Sequence, residues 1–356
     1  MIRILSGDIL IADVIVSLEG NPSLAALVEK YHLKPGGKEA LDDTRLAEFS
    51  AAAKGHGVTV TPGGSSANML ATLGKLMGKD VEVRFLGVAG EGLYSGMIRD
   101  SLEEAGIALL PEHLPGGQAA VSFVMVGEGG QCTIATHPGN ARDLLKLSVI
   151  SEDRVRECDV LLVQGSLWHK FERGFPDRMI ELCRKHAKEL WLTLPTQTKF
   201  SEDDARRFQQ LIPHASLVLG NESELVRVYG AAFQAALVKL QMALGKPSPK
   251  EGKGKRAVGF ITSGKTGAAI VTGDGIEYVA PMPIEARDIV NTLGAGDTSF
   301  AGFAAGYLRG LPTMACAQIA MALAEEKLRI NNPRLAAPMA VMKEAFPNLA
   351  RMLKND

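Results

Sequence analysis

The chain is short of several things, and each shortage closes off a class of function. Only four of its 356 residues are cysteines, Cys132, Cys158, Cys183 and Cys316, and no two stand in Cys-x-x-Cys spacing. That argues against a disulfide framework or a zinc site and predicts buried thiols in a reducing compartment. An excess of one charge is missing too. With a formal net charge of −1, there is no net field to steer a nucleic acid or an acidic membrane surface toward the chain. No apolar run reaches membrane-spanning length. The N-terminus carries no basic region followed by an apolar stretch and a small-residue cleavage site, so the cytoplasm is the expected compartment.

What is present is ordinary for a soluble globular chain: 46% apolar and 22% charged residues, in a length that can bury a large core. From Asp159 short β-like runs alternate with helical patterns: strand 159–164, helix 177–187, strand 190–194, helix 202–211, strand 216–219. This alternation predicts a parallel, doubly wound α/β sheet covered on both faces, with ligands beyond the strand C-terminal ends. Upstream, β-runs at 2–6 and 9–16 flank Gly7-Asp8, and amphipathic helices at 22–32 and 43–53 flank Lys34-Pro35-Gly36-Gly37. A strand at 83–90 precedes a helix at 95–105, and runs at 119–126 and 131–136 bracket a hairpin signal, Gly127-Glu128-Gly129-Gly130. The Pro/Gly-rich basic stretch 245–256 reads as a connecting loop, and helices are expected at 313–328 and 338–353.

Chemistry concentrates near the C-terminus, in Val290-Asn291-Thr292-Leu293-Gly294-Ala295-Gly296-Asp297. Gly294, Ala295 and Gly296 are small enough to let backbone N–H groups approach an anion. Phe300, Phe303, Ala304, Tyr307 and Leu308 follow at helical spacing. The stretch is therefore a glycine-rich turn feeding a helix N-terminus, where unsatisfied N–H groups and the macrodipole favour negative charge. Asp297 at its mouth is either a helix cap or a general base beside an anion hole.

Two other stretches repeat the theme of a turn opening a helix. Gly63-Gly64-Ser65-Ser66-Ala67-Asn68 precedes an apolar helix, and Asn68 on its first turn can both donate and accept. Asn221 and Glu224, after strand 216–219, are hard-oxygen side chains suited to a water-rich Mg²⁺ site, or else a helix cap with its capping-box partner. A third stretch is a decoy. Gly259-Phe260-Ile261-Thr262-Ser263-Gly264-Lys265-Thr266 satisfies the P-loop spacing, but Phe260 and Ile261 read as strand and 268–272 as another strand, where a P-loop needs a helix.

Asn291 to Asp297 resembles the Asp-Thr-x-Gly-Ala-Gly-Asp signature of the ribokinase family, also called PfkB carbohydrate and nucleoside kinases. Gly63 to Asn68 is similar to the family's Gly-Gly-x-x-x-Asn substrate motif, Asn221 to Glu224 to its Asn-x-x-Glu motif, and Thr262, Gly264, Gly267 and Ala268 to its Thr-x-Gly-x-x-Gly-Ala turn. The four motifs stand in family order across nearly the whole chain. The resemblance implies one ribokinase-like α/β/α domain over 1–356, with a small β-rich lid built from about 14–60 and 108–136. It implies transfer of the ATP γ-phosphoryl group, with Mg²⁺, to a primary hydroxymethyl of a nucleoside or sugar.

In that assignment Asp297 is the base and Gly294, Ala295 and Gly296 hold the phosphoryl group. Gly63, Gly64, Asn68 and Asp13 grip acceptor hydroxyls, with Asp8 competing for the place of Asp13. Thr262, Gly264, Lys265, Gly267 and Asn221 lie by the nucleotide, and Glu224 organises magnesium through water. The helical insert around 27–35 is similar to the adenosine-kinase branch and favours a nucleoside over a plain sugar. Trp168, Phe171 and Phe175 are candidate faces for a purine. The sequence departs from the family at Asn291, where many members use a carboxylate to help hold a monovalent cation, which puts a potassium requirement in doubt. It departs again at Cys132, where an arginine is frequent and Arg142 is a nearby substitute, and at Glu325, Glu326 and Asn331-Asn332-Pro333. A catalytically silent sugar- or nucleotide-binding relative is the contrasting reading. A monomer or a homodimer is expected.

Overall fold

The computed structural model describes residues 1–54, 57–87, 89–91, 94–110, 116–140, 146–167, 174–195, 201–245 and 257–353. Arg142, Trp168, Phe171 and most of the stretch 245–256 lie outside them. Fourteen strands form two sheets among the described residues: β1 (Ile2–Gly7), β2 (Ile11–Ser17), β3 (Lys38–Ala40), β4 (Thr59–Gly63), β5 (Val81–Leu86), β6 (Ile107–Leu110), β7 (Ala120–Val126), β8 (Cys132–His137), β9 (Val160–Gln164), β10 (Glu189–Thr193), β11 (Leu217–Asn221), β12 (Val258–Thr262), β13 (Ala268–Thr272) and β14 (Gly275–Val279).

The larger sheet has the order β14-β13-β12-β11-β10-β9-β1-β5-β6. Every neighbouring pair from β12 to β6 is parallel, and β13 and β14 close one edge antiparallel. Its strands read as almost unbroken apolar runs because both faces are covered. On one face Ile4, Val160, Leu162, Leu217 and Leu219 join the helices Ser65–Met77, Ala295–Leu308 and Thr313–Leu328. On the other face Leu5, Leu161, Val163 and Val218 join the helices Phe175–Lys185, Glu202–Leu211 and Phe233–Leu244. This is the three-layer, doubly wound architecture expected. β1 pairs with β5 on one side and β9 on the other, so the chain leaves it in both directions and a crevice opens beyond its C-terminal end.

The smaller sheet has the order β3-β8-β7-β2-β4. Period-two alternation sends Val14, Val16, Phe123 and Ala135 to one face, where they pack with Leu24 and Phe49 of the helices Pro22–Lys30 and Asp43–Ala53. The opposite face carries a polar row in direct register, Thr61, Asp13, Ser122 and Thr136, one residue from each of four strands. The Ser122 and Thr136 hydroxyls hydrogen-bond at 2.7 Å.

Some expectations need correction. The C-terminal helix is two helices, Pro338–Ala345 and Pro347–Leu353, because Pro347 biases Phe346 away from helical backbone (φ −143°, ψ 73°). The strand expected at 83–90 begins and ends earlier, at Val81 and Leu86. Of the span 108–136 expected in the lid, the residues up to Leu110 pair with β5 in the larger sheet. Phe175 is fully buried in the core beside Gly7 and so presents no face to a ligand. All four cysteines are free.

Candidate active site

The turn ahead of the helix Ala295–Leu308 forms because Gly294 takes left-handed backbone (φ 78°, ψ 0°) as its N-cap. A β-carbon there would also strike the Pro333 carbonyl. The first intrahelical bond runs from the Thr298 N–H to the Gly294 carbonyl. The N–H groups of Gly296 and Asp297 precede it and have no carbonyl within the helix to bond. The helix that carries them is anchored in the core, where Phe303 stacks on Phe260 with ring centroids 4.4 Å apart.

Asp297 is held by two donors from the helix Ser65–Met77. Ser65 Oγ donates to Oδ1 at 2.8 Å and Asn68 Nδ2 donates to Oδ2 at 3.2 Å. Burial pushes its carboxyl above the usual carboxylate range, while these two hydrogen bonds and the charges of Lys38 and Arg334 act the other way. The structure thus unites the two strongest motifs, although the bonded residues stand 229 and 232 positions apart in sequence.

Asp13 joins them from β2. It is 6% exposed and its pKa is pushed up to about 7, first by burial and then by the neighbouring Asp297 charge, against Arg334 and Lys38. Gly63 makes room for it: a β-carbon at 63 would run into the Asp13 carboxylate. Asp8 has a different place. Its Oδ1 accepts from the Ile9 N–H at 2.7 Å and its Oδ2 from Ser66 Oγ at 3.1 Å, so it braces the start of the helix and is 1% exposed.

Glu224 lines the same cavity as Asp297, with Ser65, Gln164 and Thr193. The capping box seen in the sequence is formed: Asn221 Oδ1 accepts from the Glu224 N–H at 3.0 Å, and Glu224 Oε2 accepts from the Asn221 N–H at 2.9 Å. Burial raises Glu224 to about 7, with a smaller contribution from Asp297. Two carboxyls whose ionised forms are disfavoured, facing one cavity, fit a divalent cation that keeps most of its waters.

β12 and β13 form an antiparallel hairpin with Thr262 opposite Ala268, and only a single 3₁₀ turn, Gly264–Thr266, between them. The strand–turn–helix of a P-loop is therefore absent at this stretch. Ser263 Oγ donates to Glu222 at 2.8 Å, which ties this turn to the Asn221–Glu224 segment, and Lys265 is exposed at its tip.

Two site residues escaped the sequence reading. Arg334 is 8% exposed. Its Nε donates to Asn68 Oδ1 at 2.8 Å and its Nη1 to Ser101 Oγ at 2.7 Å. Burial lowers its pKa to about 10, opposed by Asp13 and Asp297. The second is Lys327, fully buried, with its pKa brought down to about 8 by burial. No local pattern marked either one: Lys327 lies in the last turn of the helix Thr313–Leu328, and Arg334 in the loop that follows it.

A family model described as pfkB family carbohydrate kinase matches residues 39–338. An adenosine kinase of Schizosaccharomyces pombe is 25% identical over 337 residues, covering 90% of this chain and 93% of that protein. A 5-dehydro-2-deoxygluconokinase of Geobacillus thermodenitrificans is 24% identical, covering 70% and 73%. Among solved structures, a probable sugar kinase of Rhizobium etli superposes with TM-score 0.79 at 21% identity, covering 97% and 98%. An adenosine kinase of Sinorhizobium meliloti gives 0.77 at 20% identity, covering 97% and 99%. These two likenesses establish the fold.

Proposed function

The chain belongs to the pfkB family of carbohydrate kinases, and from that premise we propose that it transfers the γ-phosphoryl group of ATP to a primary hydroxymethyl on a ribose-type ring, that of a nucleoside or a sugar. The observation that carries this reading is the placement of Asp297. It stands at the third helical position behind Gly294–Ala295–Gly296, aimed by Ser65 and Asn68. Phosphoryl transfer asks a protein mainly for positioning, charge stabilisation and a base.

Asp297 takes the proton of the attacking hydroxyl, and the N–H groups at the helix N-terminus face the charge carried by the transferring group. Asp13, Asn68 and the polar row Thr61, Ser122 and Thr136 present acceptors and donors to a hydroxyl-rich ring. Glu224 is the side chain to hold Mg²⁺ through water, and the ion when bound screens the phosphate charge. The smaller sheet acts as a lid that excludes water, because hydrolysis competes with transfer. Thr262, Gly264, Lys265, Gly267 and Asn221 are assigned to the nucleotide. A nucleoside acceptor is favoured by the helices Pro22–Lys30 and Asp43–Ala53 on the smaller sheet and by the named adenosine kinases. A plain sugar is favoured by the polar row, and by Phe175 being closed off in the core.

The test is ATP consumption over a panel of nucleosides and pentose, hexose and ketose sugars with Mg²⁺, alongside Asp297→Asn. Turnover on one acceptor, reduced by at least about 10³-fold in the variant while ATP still binds, is the expected result. ATP binding without turnover on any acceptor would instead identify a silent relative.

A further inference from the structure

The last turn of the helix Thr313–Leu328 carries an ionised group deep in the protein. The Lys327 side chain is fully buried, and its Nζ donates to Asn291 Oδ1 at 3.2 Å and to the Ile330 carbonyl at 3.1 Å. Both hydrogen-bonding partners are neutral oxygens. Burying an ammonium among neutral partners is unfavourable relative to water, so a cation retained there calls for a purpose.

Its surroundings locate that purpose. Asn291 is also fully buried. Its Oδ1 accepts from the Leu293 N–H at 3.0 Å, and its Nδ2 donates to Asn331 Oδ1 at 2.7 Å and to the Asn331 carbonyl at 3.0 Å. The ammonium therefore joins two loops, 290–293 and 329–333. The first runs directly into the Gly294 turn, and the second packs its Pro333 carbonyl against Gly294. The Val290 N–H to Leu328 carbonyl bond, 2.8 Å, closes the arrangement. Lys327 also lies near enough to Asp297 for that charge to favour its protonated form against the effect of burial.

Amide and carbonyl oxygens converging on a monovalent cation are the ligand set that suits an alkali ion. Here the ammonium already occupies both oxygens, and a second cation beside it would be repelled. We propose that Lys327 is a tethered monovalent cation, which fixes the anion-binding turn and supplies positive charge behind it, so that phosphoryl transfer by this protein needs no potassium or sodium. The proposal rests on the kinase reading for its catalytic half only.

The test has a catalytic and a non-catalytic arm. With tetramethylammonium as the only added cation besides Mg²⁺, replacing it by potassium at equal ionic strength changes wild-type turnover less than about twofold and leaves Tm unchanged. Lys327→Met loses roughly 10²-fold in kcat, the scale of one lost preorganised electrostatic partner. Lys327→Ala regains at least about tenfold with ammonium or potassium and nothing with tetramethylammonium. In Asn291→Asp/Lys327→Met the Tm rises with potassium specifically. A wild-type enzyme stimulated about tenfold by potassium, or a wild-type Tm that rises with potassium but not tetramethylammonium, overturns the proposal, as does a folded Lys327→Met with full activity in alkali-free buffer. Absence of turnover on every acceptor would overturn the kinase reading alone, because the Tm arms still judge Lys327. If the variants do not fold, the wild-type comparisons decide.

Discussion

Asn68 is gripped at both ends of its amide, and this fixes what it can do. Arg334 Nε occupies Oδ1, which leaves Nδ2 pointing at Asp297. Arg334 thus positions Asn68 against Asp297, and its charge favours the ionised forms of Asp13 and Asp297. Arg334→Met should lower kcat by roughly 10–100-fold, the range typical of lost supporting hydrogen bonds. Its second signature is a pH profile. Because the guanidinium holds both carboxyl pKa values down, its removal raises them and shifts the acid limb of kcat/KM to higher pH. Arg334→Lys should restore part of the profile and less of kcat, since an ammonium cannot span Asn68 and Ser101 as the fork does. A profile that stays in place with kcat reduced would leave Arg334 a packing residue only.

At the scale of elements, the ends of strands decide the site. β4 ends at Gly63, which leaves space for the Asp13 carboxylate from β2 alongside. Gly63→Ala should displace Asp13 and raise the acceptor KM by about tenfold or more, with the KM for ATP little changed. Equal effects on both would show that the substitution disturbs the sheet as a whole. The same elements explain what the sequence made legible. The parallel strands announced themselves because burial on both faces leaves continuous apolar runs such as Val160–Val163, and the helix Thr313–Leu328 was found at its observed bounds. β3 could not be read, because its three residues Lys38–Ala40 are exposed and carry no alternation. β4 contains proline and glycine, which read as turn. The Gly294–Asp297 turn was legible because its chemistry is contiguous. Arg334 and Lys327 were not, because each has its meaning only through partners that the fold delivers from distant segments.

The whole molecule is two sheets whose facing surfaces share one set of carboxylates, and Lys38 connects them electrostatically. It stands on β3 at the edge of the smaller sheet, yet its charge is felt by Asp13, Asp297 and Glu224, which come from β2, the helix Ala295–Leu308 and the helix Glu222–Tyr229 after β11. The hairpin of the same sheet rests on the other side of the site, with Gly130 against the Ile289 and Val290 carbonyls. A cation on the edge of the smaller sheet draws that edge toward Asp297 and Glu224 on the larger sheet's side of the site, since opposite charges attract. Lys38→Met should therefore raise these carboxyl pKa values and move the acid limb of kcat/KM to higher pH. Because the side chain is exposed, the displacement should be largest at low salt and shrink as ionic strength rises. Arg334→Met supplies the contrast, because its buried charge is screened far less and its displacement should persist in salt. Measuring both profiles at low and high ionic strength separates a charge carried on the smaller sheet from one fixed in the site. Equal salt sensitivity of the two variants would place the Lys38 charge within the site rather than at its rim.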